Sequence, residues 1–356
     1  MSAAALSAAA LTARWLGLGL ATALAALIAA GVGLPSPSLF AALLVGVAYA
    51  ASTRVALELP RVTVTAAQAV TGVALGTYLK VSTLAEVGAH LLPVLGVTLA
   101  TLLLTLLAGL ALARLADVDA PTASLGMIAG GATGIVAISR DLGADERLVA
   151  VMQYLRVLVV VLLAPVLARL AFSAPPADHA GPGVVHAASA SLPAEILFTL
   201  AACALGLLAA RAVRLPAGSL LGPLLLAGVL TASGVAGGTG VPGALSELAF
   251  ALIGLQVGLR FTRRTLKQAG RLLAPVMVAI LALILACGAL AAALAPLAHV
   301  SLLDAYLATT PGGLYAVLAA ALGSGANTTF VLAVQALRLF VMVLAAPPLV
   351  RRLLRD

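Results

Sequence analysis

The sequence predicts an all-helical, polytopic membrane protein built from two repeats. Hydrophobic residues make up 63% of its 356 residues, charged residues make up only 9%, and the mean hydropathy is +1.19. A soluble domain has about 45–50% apolar and about 25% charged residues. The second observation is a series of apolar runs long enough to cross a hydrocarbon core of about 30 Å as helices. The third is a spaced pattern of Gly, Gln and Arg that both halves share.

Twelve apolar segments follow one another along the chain, six in each half. They lie at 15–33, 37–52, 62–79, 91–114, 122–139, 148–170, 195–212, 216–235, 243–260, 272–296, 302–322 and 328–350. We interpret the first as a transmembrane helix rather than a signal peptide, because it lacks a basic start and leads into further spans. The Pro-, Ala- and Gly-rich residues 171–194 predict an extracytoplasmic linker between a first repeat, 1–170, and a second repeat, 195–356.

The repeat is seen as identical residues at a fixed separation of 182 positions. The pairs that matter most are Gly130 with Gly312, Gly131 with Gly313, Gln153 with Gln335 and Arg156 with Arg338. Matches of Ala or Leu would carry little weight in so apolar a chain, whereas these residue types are uncommon in it. A fixed internal period of this kind indicates a duplicated structure.

The distribution of Lys and Arg predicts that the second repeat is inverted. If all twelve segments crossed, eight basic residues outside the spans would lie on one side and ten on the other. If the segments at 122–139 and 302–322 instead enter and leave on the same side, the division becomes sixteen to two. The positive-inside rule favours the second arrangement. It places both termini in the cytoplasm, with five crossings per repeat.

Glycine and proline residues fit a re-entrant course for these two segments. Non-helical backbone at membrane depth is tolerated only where it lines a cavity or is buried in protein. The alternative is a broken crossing helix, with another segment that fails to span. Broken segments at matching places in two inverted halves point to the binding site of a secondary transporter. We expect the substrate to contact Gly130, Gly131, Ala132, Thr133 and Gly134 in one half, and Pro311, Gly312, Gly313, Leu314 and Tyr315 in the other. Close helix packing by small residues is the competing interpretation.

Arg156 and Arg338 lie about 13–16 Å into their predicted helices, which is near the bilayer midplane. Gln153 and Gln335 precede them by three residues, on the same helix face. An intramembrane charge faces the protein interior or a water-filled cavity, and none of the twelve acidic residues lies in the middle of a predicted span. Two interpretations stay open and are compatible. The guanidinium groups cap carbonyls freed at the re-entrant apex, or they bind an anionic substrate such as a carboxylate.

The residues offer little else for chemistry. The sequence contains no clustered metal ligands, nucleophile elbow, phosphate-binding loop or dinucleotide fingerprint, so we expect neither an enzyme nor a resident cofactor. A coupling cation, sodium or a proton, would depend on backbone carbonyls and hydroxyl groups. Without a DNA-binding element, no nucleic-acid partner is expected. The first two spans of each half are rich in Ala, Gly and Leu and suggest a scaffold on which a homodimer could form.

Two long blocks carry a family resemblance: GGATGIVAISRDLGADERLVAVMQYLRVLVVVLLAP and PGGLYAVLAAALGSGANTTFVLAVQALRLFVMVLAAP. They resemble the AbrB family of duplicated bacterial membrane proteins, and the resemblance covers nearly the whole chain. The first block departs from the pattern, with Ala129 in place of the proline. The resemblance implies two labels, ammonia monooxygenase and regulation of gene expression. The deduced architecture is also similar to that of the 2-hydroxycarboxylate and glutamate symporters, which implies transport of organic anions.

We therefore expect a secondary transporter of a small organic anion that works by alternating access. One alternative is a membrane-bound regulator that binds a ligand and signals through a partner. A membrane monooxygenase is the other, and the residues support it less because they offer no metal-ligand cluster.

Overall fold

The computed structural model describes residues 8–32, 36–79, 81–116, 118–129, 142–172, 191–215 and 217–353, together with Ile135 and Ser139. Across these ranges the ordered backbone is helical and contains no β-strand, which confirms the predicted fold class. Four of the described helices are long and apolar enough to cross a membrane, namely Ala9–Gly31, Leu91–Leu115, Leu192–Ala212 and Gly270–Leu297. Shorter apolar helices accompany them.

The helices fall into two sets that follow the two halves of the sequence. The first half contains α1 (Ala8–Gly31), α2 (Pro37–Ser52), α3 (Arg61–Gly76), α4 (Val81–Ala89), α5 (Leu91–Leu115), α6 (Ala120–Met127) and α7 (Glu146–Phe172). The second half contains α8 (Leu192–Ala212), α9 (Gly218–Ala232), α10 (Gly243–Gly258), α11 (Arg263–Ala269), α12 (Leu273–Leu297), α13 (Leu302–Thr309), α14 (Leu314–Gly323) and α15 (Thr328–Leu353).

The duplication is present in the folded chain. The pairs α3 and α10, α5 and α12, and α6 and α13 begin and end 182 residues apart. The turns before α7 and α15 also match, since Gly143 and Gly325 have φ angles of +75° and +72°. This left-handed conformation is open to glycine at no steric cost. Equivalent glycines therefore set equivalent turns into the two helices that carry Arg156 and Arg338.

The predicted segment at 302–322 is not one helix. Helix α13 ends at Thr309 and α14 begins at Leu314, so the break falls on the Pro311-Gly312-Gly313 stretch. Proline lacks the N–H that a continuing helix would use. The expected interruption is therefore present, while the re-entrant course of the segment stays a prediction. In the first half α6 ends at Met127, and most of 130–141 lies outside the described residues.

Some boundaries differ from the sequence prediction. Helix α1 begins at Ala8 rather than at residue 15, and the short helices α4 and α11 were not among the twelve segments. Both have a polar or charged sequence that breaks the apolar run, so hydropathy alone does not mark them. The predicted linker at 171–194 lies mostly outside the described residues, between the end of α7 and the start of α8.

The chain divides into two compact units, and each unit takes helices from both halves. The first unit comprises Met1–Val81, Ala174–Leu266 and Leu322–Gly325, and so contains α1 to α3 and α8 to α10. The second unit comprises Ser82–Ser173, Lys267–Ala321 and Ala326–Asp356. It contains α5, α6 and α7 of the first half with α12, α13 and α15 of the second. Within it, α5 packs on α6 and α12, and α13 packs on α12 and α15.

In the first unit, α2 packs on α10 through glycine residues. A Cβ atom placed on Gly254 would lie 2.2 Å from the carbonyl oxygen of Leu39, and one on Gly258 would lie 2.4 Å from that of Leu43. Small residues four positions apart let helix backbones approach closely in membranes. The contact on α2 advances from Leu39 to Leu43 as the contact on α10 advances from Gly254 to Gly258. The two helices therefore run parallel where they touch.

The repeat-related pair, α3 and α9, packs in the same way. Cβ atoms placed on Gly72 and Gly76 would each lie 2.4 Å from a carbonyl oxygen of α9, on Leu220 and Leu224 respectively. Helix α10 corresponds to α3, and it runs parallel to α2. Consecutive spans cross a membrane in opposite directions, so α2 and α3 are opposed if both cross. The parallel α2–α10 pair is therefore the arrangement that inverted repeats require.

We expect Gly254→Ala to destabilise the protein by about 1–3 kcal/mol, the usual cost of forcing an extra group into a packed core. The added methyl group meets backbone rather than a flexible side chain, so one helix must shift. Apparent unfolding temperature of the purified protein in detergent measures the effect. The matched control is Gly288→Ala in the middle of α12, where nothing lies within 4 Å of the added atom. Equal unfolding temperatures for both variants would contradict the packing account.

Candidate functional site

The predicted arginines and glutamines lie on α7 and α15, inside the second unit. Gln153 and Gln335 are fully buried, and Arg156 and Arg338 are only 3% and 4% exposed. Each glutamine and arginine are three residues apart, so both side chains project from the same face of their helix. In each half that face meets the short helix that begins the preceding segment, α6 or α13. The burial predicted for both charges is therefore confirmed.

The glutamine side chains hold the C-terminal ends of the short helices. Gln153 Nε2 donates to the carbonyl oxygens of Leu125 and Ile128, at 2.6 and 2.9 Å. Gln335 Nε2 donates to the equivalent carbonyls of Leu307 and Thr310, at 2.7 and 3.3 Å. The last four carbonyls of a helix have no partner within it. In a membrane interior these groups need protein donors, and the amides supply them.

The guanidinium groups complete the same caps. Arg156 Nη1 donates to the Met127 carbonyl at 2.9 Å, and its Nη2 donates to Gln153 Oε1 at 2.6 Å. Arg338 Nη2 likewise donates to Gln335 Oε1, in a short contact. Capping of freed carbonyls was one of the two interpretations of these arginines.

In the second half the capping extends beyond the helix into the break. Arg338 Nη1 donates to the carbonyls of Thr310 and Thr309 at 2.7 and 3.3 Å. Its Nη2 also reaches the Gly312 carbonyl at 3.4 Å. The guanidinium group thus ties the backbone from the last turn of α13 to the first glycine of the break. Arg338 therefore fixes the course of this non-helical stretch as well as the helix end.

The caps satisfy most donors but leave the charges without a counter-ion. The Nε atoms of both arginines are buried and have no hydrogen-bond partner among the described residues. Neither guanidinium group forms an ion pair with a carboxylate of the described residues. The site therefore concentrates positive charge that neutral carbonyl dipoles solvate without cancelling.

The structure brings the second-half apex against α7. A Cβ atom on Gly312 would lie 2.3 Å from a methyl carbon of Val160, and one on Gly313 would lie 3.3 Å from Val157. The break is thus packed beside the helix that carries Arg156, and these valines had no sequence signal of their own. Of the other predicted contacts, Gly130, Gly131 and Thr133 lie outside the described residues, as does the side chain of Tyr315.

A second pair of contacts, which the sequence analysis missed, ties α7 and α15 to the short helices. The backbone N–H of Asp145, just before α7, donates to the Thr122 hydroxyl at 2.8 Å. The backbone N–H of Asn327, just before α15, donates to Asp304 Oδ1 at 2.6 Å. The positions match at a separation of 182, but the residue types differ. An identity search cannot find them, whereas a search for hydrogen-bonding residues at matching positions would have done so.

Because Asp304 is 8% exposed and accepts from the first turn of α15, we expect Asp304→Ala to reduce stability by about 1–3 kcal/mol. That is the usual cost of leaving a buried donor unpaired. Asp304→Thr installs the residue type found at the equivalent position and should keep most of the stability. Thermal unfolding in detergent distinguishes the two. A threonine variant as unstable as the alanine variant would show that the hydroxyl of Thr122 is not a functional equivalent.

Thr309 and Thr310, two of the hydroxyl residues that could contribute to a coupling-cation site, donate their hydroxyl hydrogens to backbone carbonyls. Thr309 Oγ1 donates to the Cys287 and Ala305 carbonyls at 3.1 and 2.9 Å. Thr310 Oγ1 donates to the Tyr306 carbonyl at 2.6 Å. Among the described side chains, no three His, Cys, Asp or Glu residues come together as metal ligands. The coupling cation and the absence of an enzymatic activity both stay predictions.

Comparisons with known proteins identify the family. A family model described as "Transition state regulatory protein AbrB" matches residues 38–354. The chain is 35% identical over 325 residues to "Putative regulator AbrB" of Escherichia coli (strain K12), covering 90% of each chain. It is 28% identical over 300 residues to "Uncharacterized protein YhjN" of Bacillus subtilis (strain 168), covering 80% of this chain and 77% of that one. The predicted resemblance is confirmed, and the chain belongs to the AbrB family.

Proposed function

We propose that this protein is a secondary transporter of a small organic anion, with Arg156 and Arg338 as the groups that attract the substrate. It resides in the bacterial inner membrane, and both termini lie in the cytoplasm. One bundle of helices moves against the other and exposes the arginines alternately to the two sides. The observation that carries the proposal is the pair of buried guanidinium groups with no carboxylate partner among the described residues.

The uncompensated charge of the two arginines, rather than their hydrogen bonding, favours a bound anion. Burying an ion costs several kcal/mol unless an opposite charge offsets it. Backbone carbonyls and the glutamine amides stabilise each guanidinium group, but they do not neutralise its charge. A bound anion would supply the missing counter-charge, and the unpaired Nε–H groups are donors suited to it. A carboxylate is the favoured class because the planar guanidinium group matches its geometry.

The break in the second half, together with the equivalent end of α6 in the first, supports transport rather than static binding. Interrupted helices at equivalent positions of two repeats are typical of transporter sites near the midplane. In the second half, the carbonyl groups of the break contact Arg338 directly. A change in the backbone conformation of the break would therefore move the Arg338 guanidinium group. A bound anion would in turn stabilise one backbone conformation of the break. Substrate and backbone are thus coupled through one side chain.

The oxygen atoms at the end of α13 are poor candidates for a coupling cation. The carbonyls of Thr309 and Thr310 already accept from a cationic group, which would repel a second cation. We therefore place any sodium site away from this helix end. The dependence of uptake on sodium and on a pH gradient tests that placement.

A membrane-bound regulator is the second candidate function. The observation that favours it is the printed description of the family and of the Escherichia coli relative, both of which name a regulatory protein. A regulator of this kind would bind the same anion at the same arginines and pass the change to a partner protein. A homodimer fits either function.

Reconstitution into sealed liposomes tests the proposal. Uptake of labelled small carboxylates, amino acids and inorganic anions is measured with and without a sodium or proton gradient. Transport predicts protein-dependent uptake of at least one anion that an unlabelled competitor suppresses. Selective anion binding with no flux under any gradient would replace the transporter with the regulator. Uptake of neutral solutes alone would reject an anion site.

A further inference from the structure

A cavity of about 470 Å³ lies in the first unit, and neither Arg156 nor Arg338 is among its lining residues. It is lined by the C-terminal end of α2 with the loop after it, and by the residues around the start of α11. Its lining residues are Ala50, Thr53, Arg54, Val55, Ala56, Thr262, Arg263 and Arg264. Three guanidinium groups thus line one cavity, and no acidic residue is among the lining residues. The nearest acidic residue in sequence, Glu58, does not line it.

The three arginines have different roles in this cavity. Arg263 Nε and Nη2 donate to the carbonyls of Ala51 and Ser52 at 2.7 and 2.8 Å, so this side chain fixes the end of α2. Arg54 and Arg264 are exposed and have no hydrogen-bond or ion-pair partner within the described ranges. One arginine therefore shapes the wall, while two others leave their donors available to a ligand.

The packing places the cavity at a membrane face. Helices α2 and α10 are parallel where Gly46 meets Gly258, so their C-terminal ends point to the same face. The hydrogen bonds from Arg263 to Ala51 and Ser52 bring the residues after α10 to the level at which α2 ends. Residues 53–56 follow α2 and residues 262–264 follow α10. The positive-inside distribution assigns this level to the cytoplasmic side, where the membrane surface carries anionic lipids.

We propose that this cavity binds a phosphate group at the cytoplasmic membrane surface through Arg54 and Arg264. Guanidinium groups recognise phosphate oxygens with paired, charge-assisted hydrogen bonds. A volume of this size is within the range of small-ligand sites, roughly 300–1,000 Å³. The same chemistry is offered by the headgroup of an anionic phospholipid and by a soluble phosphate. The inference is independent of the proposed transport function, because it concerns residues of the first unit only.

Titration of the purified full-length chain in detergent tests the proposal. One arm adds phosphatidylglycerol, with phosphatidylcholine as the neutral lipid, and the other adds inorganic phosphate at an ionic strength held constant with sodium chloride. A ligand that binds the native state raises the apparent unfolding temperature, and the concentration dependence yields an apparent affinity. The variants are Arg54→Ala with Arg264→Ala, and the same pair changed to Lys. The matched control is Arg211→Ala, an exposed arginine of α8 that does not line the cavity.

We expect phosphatidylglycerol or inorganic phosphate to stabilise the wild-type protein, and the double alanine variant to bind about tenfold more weakly or worse. Losing one charge-assisted contact of about 1.4 kcal/mol already corresponds to tenfold. The lysine pair should retain part of the affinity, and Arg211→Ala should retain all of it. A response to the lipid alone identifies a headgroup site, and a response to inorganic phosphate identifies a soluble ligand. No response to either probe, or an undiminished response in the double alanine variant, would overturn the proposal.

Discussion

Arg338→Gln is expected to lower anion uptake into proteoliposomes by about 30-fold or more, and Arg156→Gln is expected to do the same. Removing one partner of a buried charge pair costs about 2–5 kcal/mol, of which 2 kcal/mol already corresponds to about 30-fold. A glutamine removes the charge and keeps a polar side chain, but its amide ends at the level of the arginine Nε, short of the carbonyls that the Nη atoms cap, so some loss of stability is expected as well. Uptake is compared at equal amounts of folded protein.

Two further variants separate the roles of charge and geometry. Arg338→Lys keeps a positive charge but loses the fork that reaches Thr309, Thr310 and Gly312, so uptake between the wild type and Arg338→Gln is expected. Arg211→Gln removes an exposed charge from α8 and should leave uptake unchanged. If both midplane glutamine variants transport at the wild-type rate, the arginines only cap the helices and the substrate binds elsewhere.

Gln335→Leu is expected to destabilise the protein by about 2–4 kcal/mol. The leucine leaves the Leu307 and Thr310 carbonyls without the amide donor and Arg338 without one acceptor. A buried polar group left unpaired costs about 1–3 kcal/mol. Hydrogen bonds between helices in membranes average nearer 0.6 kcal/mol, because the unfolded state also finds partners. The Thr310 carbonyl keeps its hydrogen bond from Arg338, so the Leu307 carbonyl and Arg338 set the expected range, and Gln153→Leu should lie within it.

The control for this change is Leu332→Met, one turn earlier on α15 and also buried. A swap of similar volume between apolar residues usually costs less than about 1.5 kcal/mol. Unfolding monitored in mixed detergent micelles gives both values. If Gln335→Leu were as stable as the methionine control, other donors such as water would have to replace the amide, and the glutamine cap would not be needed for stability.

Composition and periodicity were sufficient to predict the membrane class, the duplication and the break at Pro311-Gly312-Gly313. Each of these follows from a strong local cause: apolar length, a fixed separation of rare residues, and residues that cannot continue a helix. The burial of Arg156 and Arg338 was also predictable, because exposing a charged side chain to lipid is costly and such residues face the protein interior or a water-filled cavity. The carbonyls that receive the guanidinium groups were not, since side-chain reach depends on how α13 and α15 pack.

Other features depend on residues that are distant in sequence and unlike in type. The backbone N–H groups of Asp145 and Asn327 donate to Thr122 and Asp304 respectively. The accepting side chains differ between the halves, so identical residues in the repeat do not reveal these hydrogen bonds. The basic cavity joins residues near 54 with residues near 263, about 210 positions apart. The residues near 54 and those near 263 each have the sequence of a solvated basic loop. Only the packing of α2 on α10 brings the two loops together.

Thermal unfolding of the purified protein against small carboxylates, amino acids and inorganic anions tests whether Arg156 and Arg338 bind an anion, when it is repeated with the double variant Arg156→Gln and Arg338→Gln. Binding to the native state at 100 times the dissociation constant stabilises it by about 2.7 kcal/mol. We expect a selective rise in unfolding temperature for one class of anion, and its loss in the double variant. A rise that persists in the double variant, or a response only to cations or neutral solutes, would show that these arginines do not bind an anion.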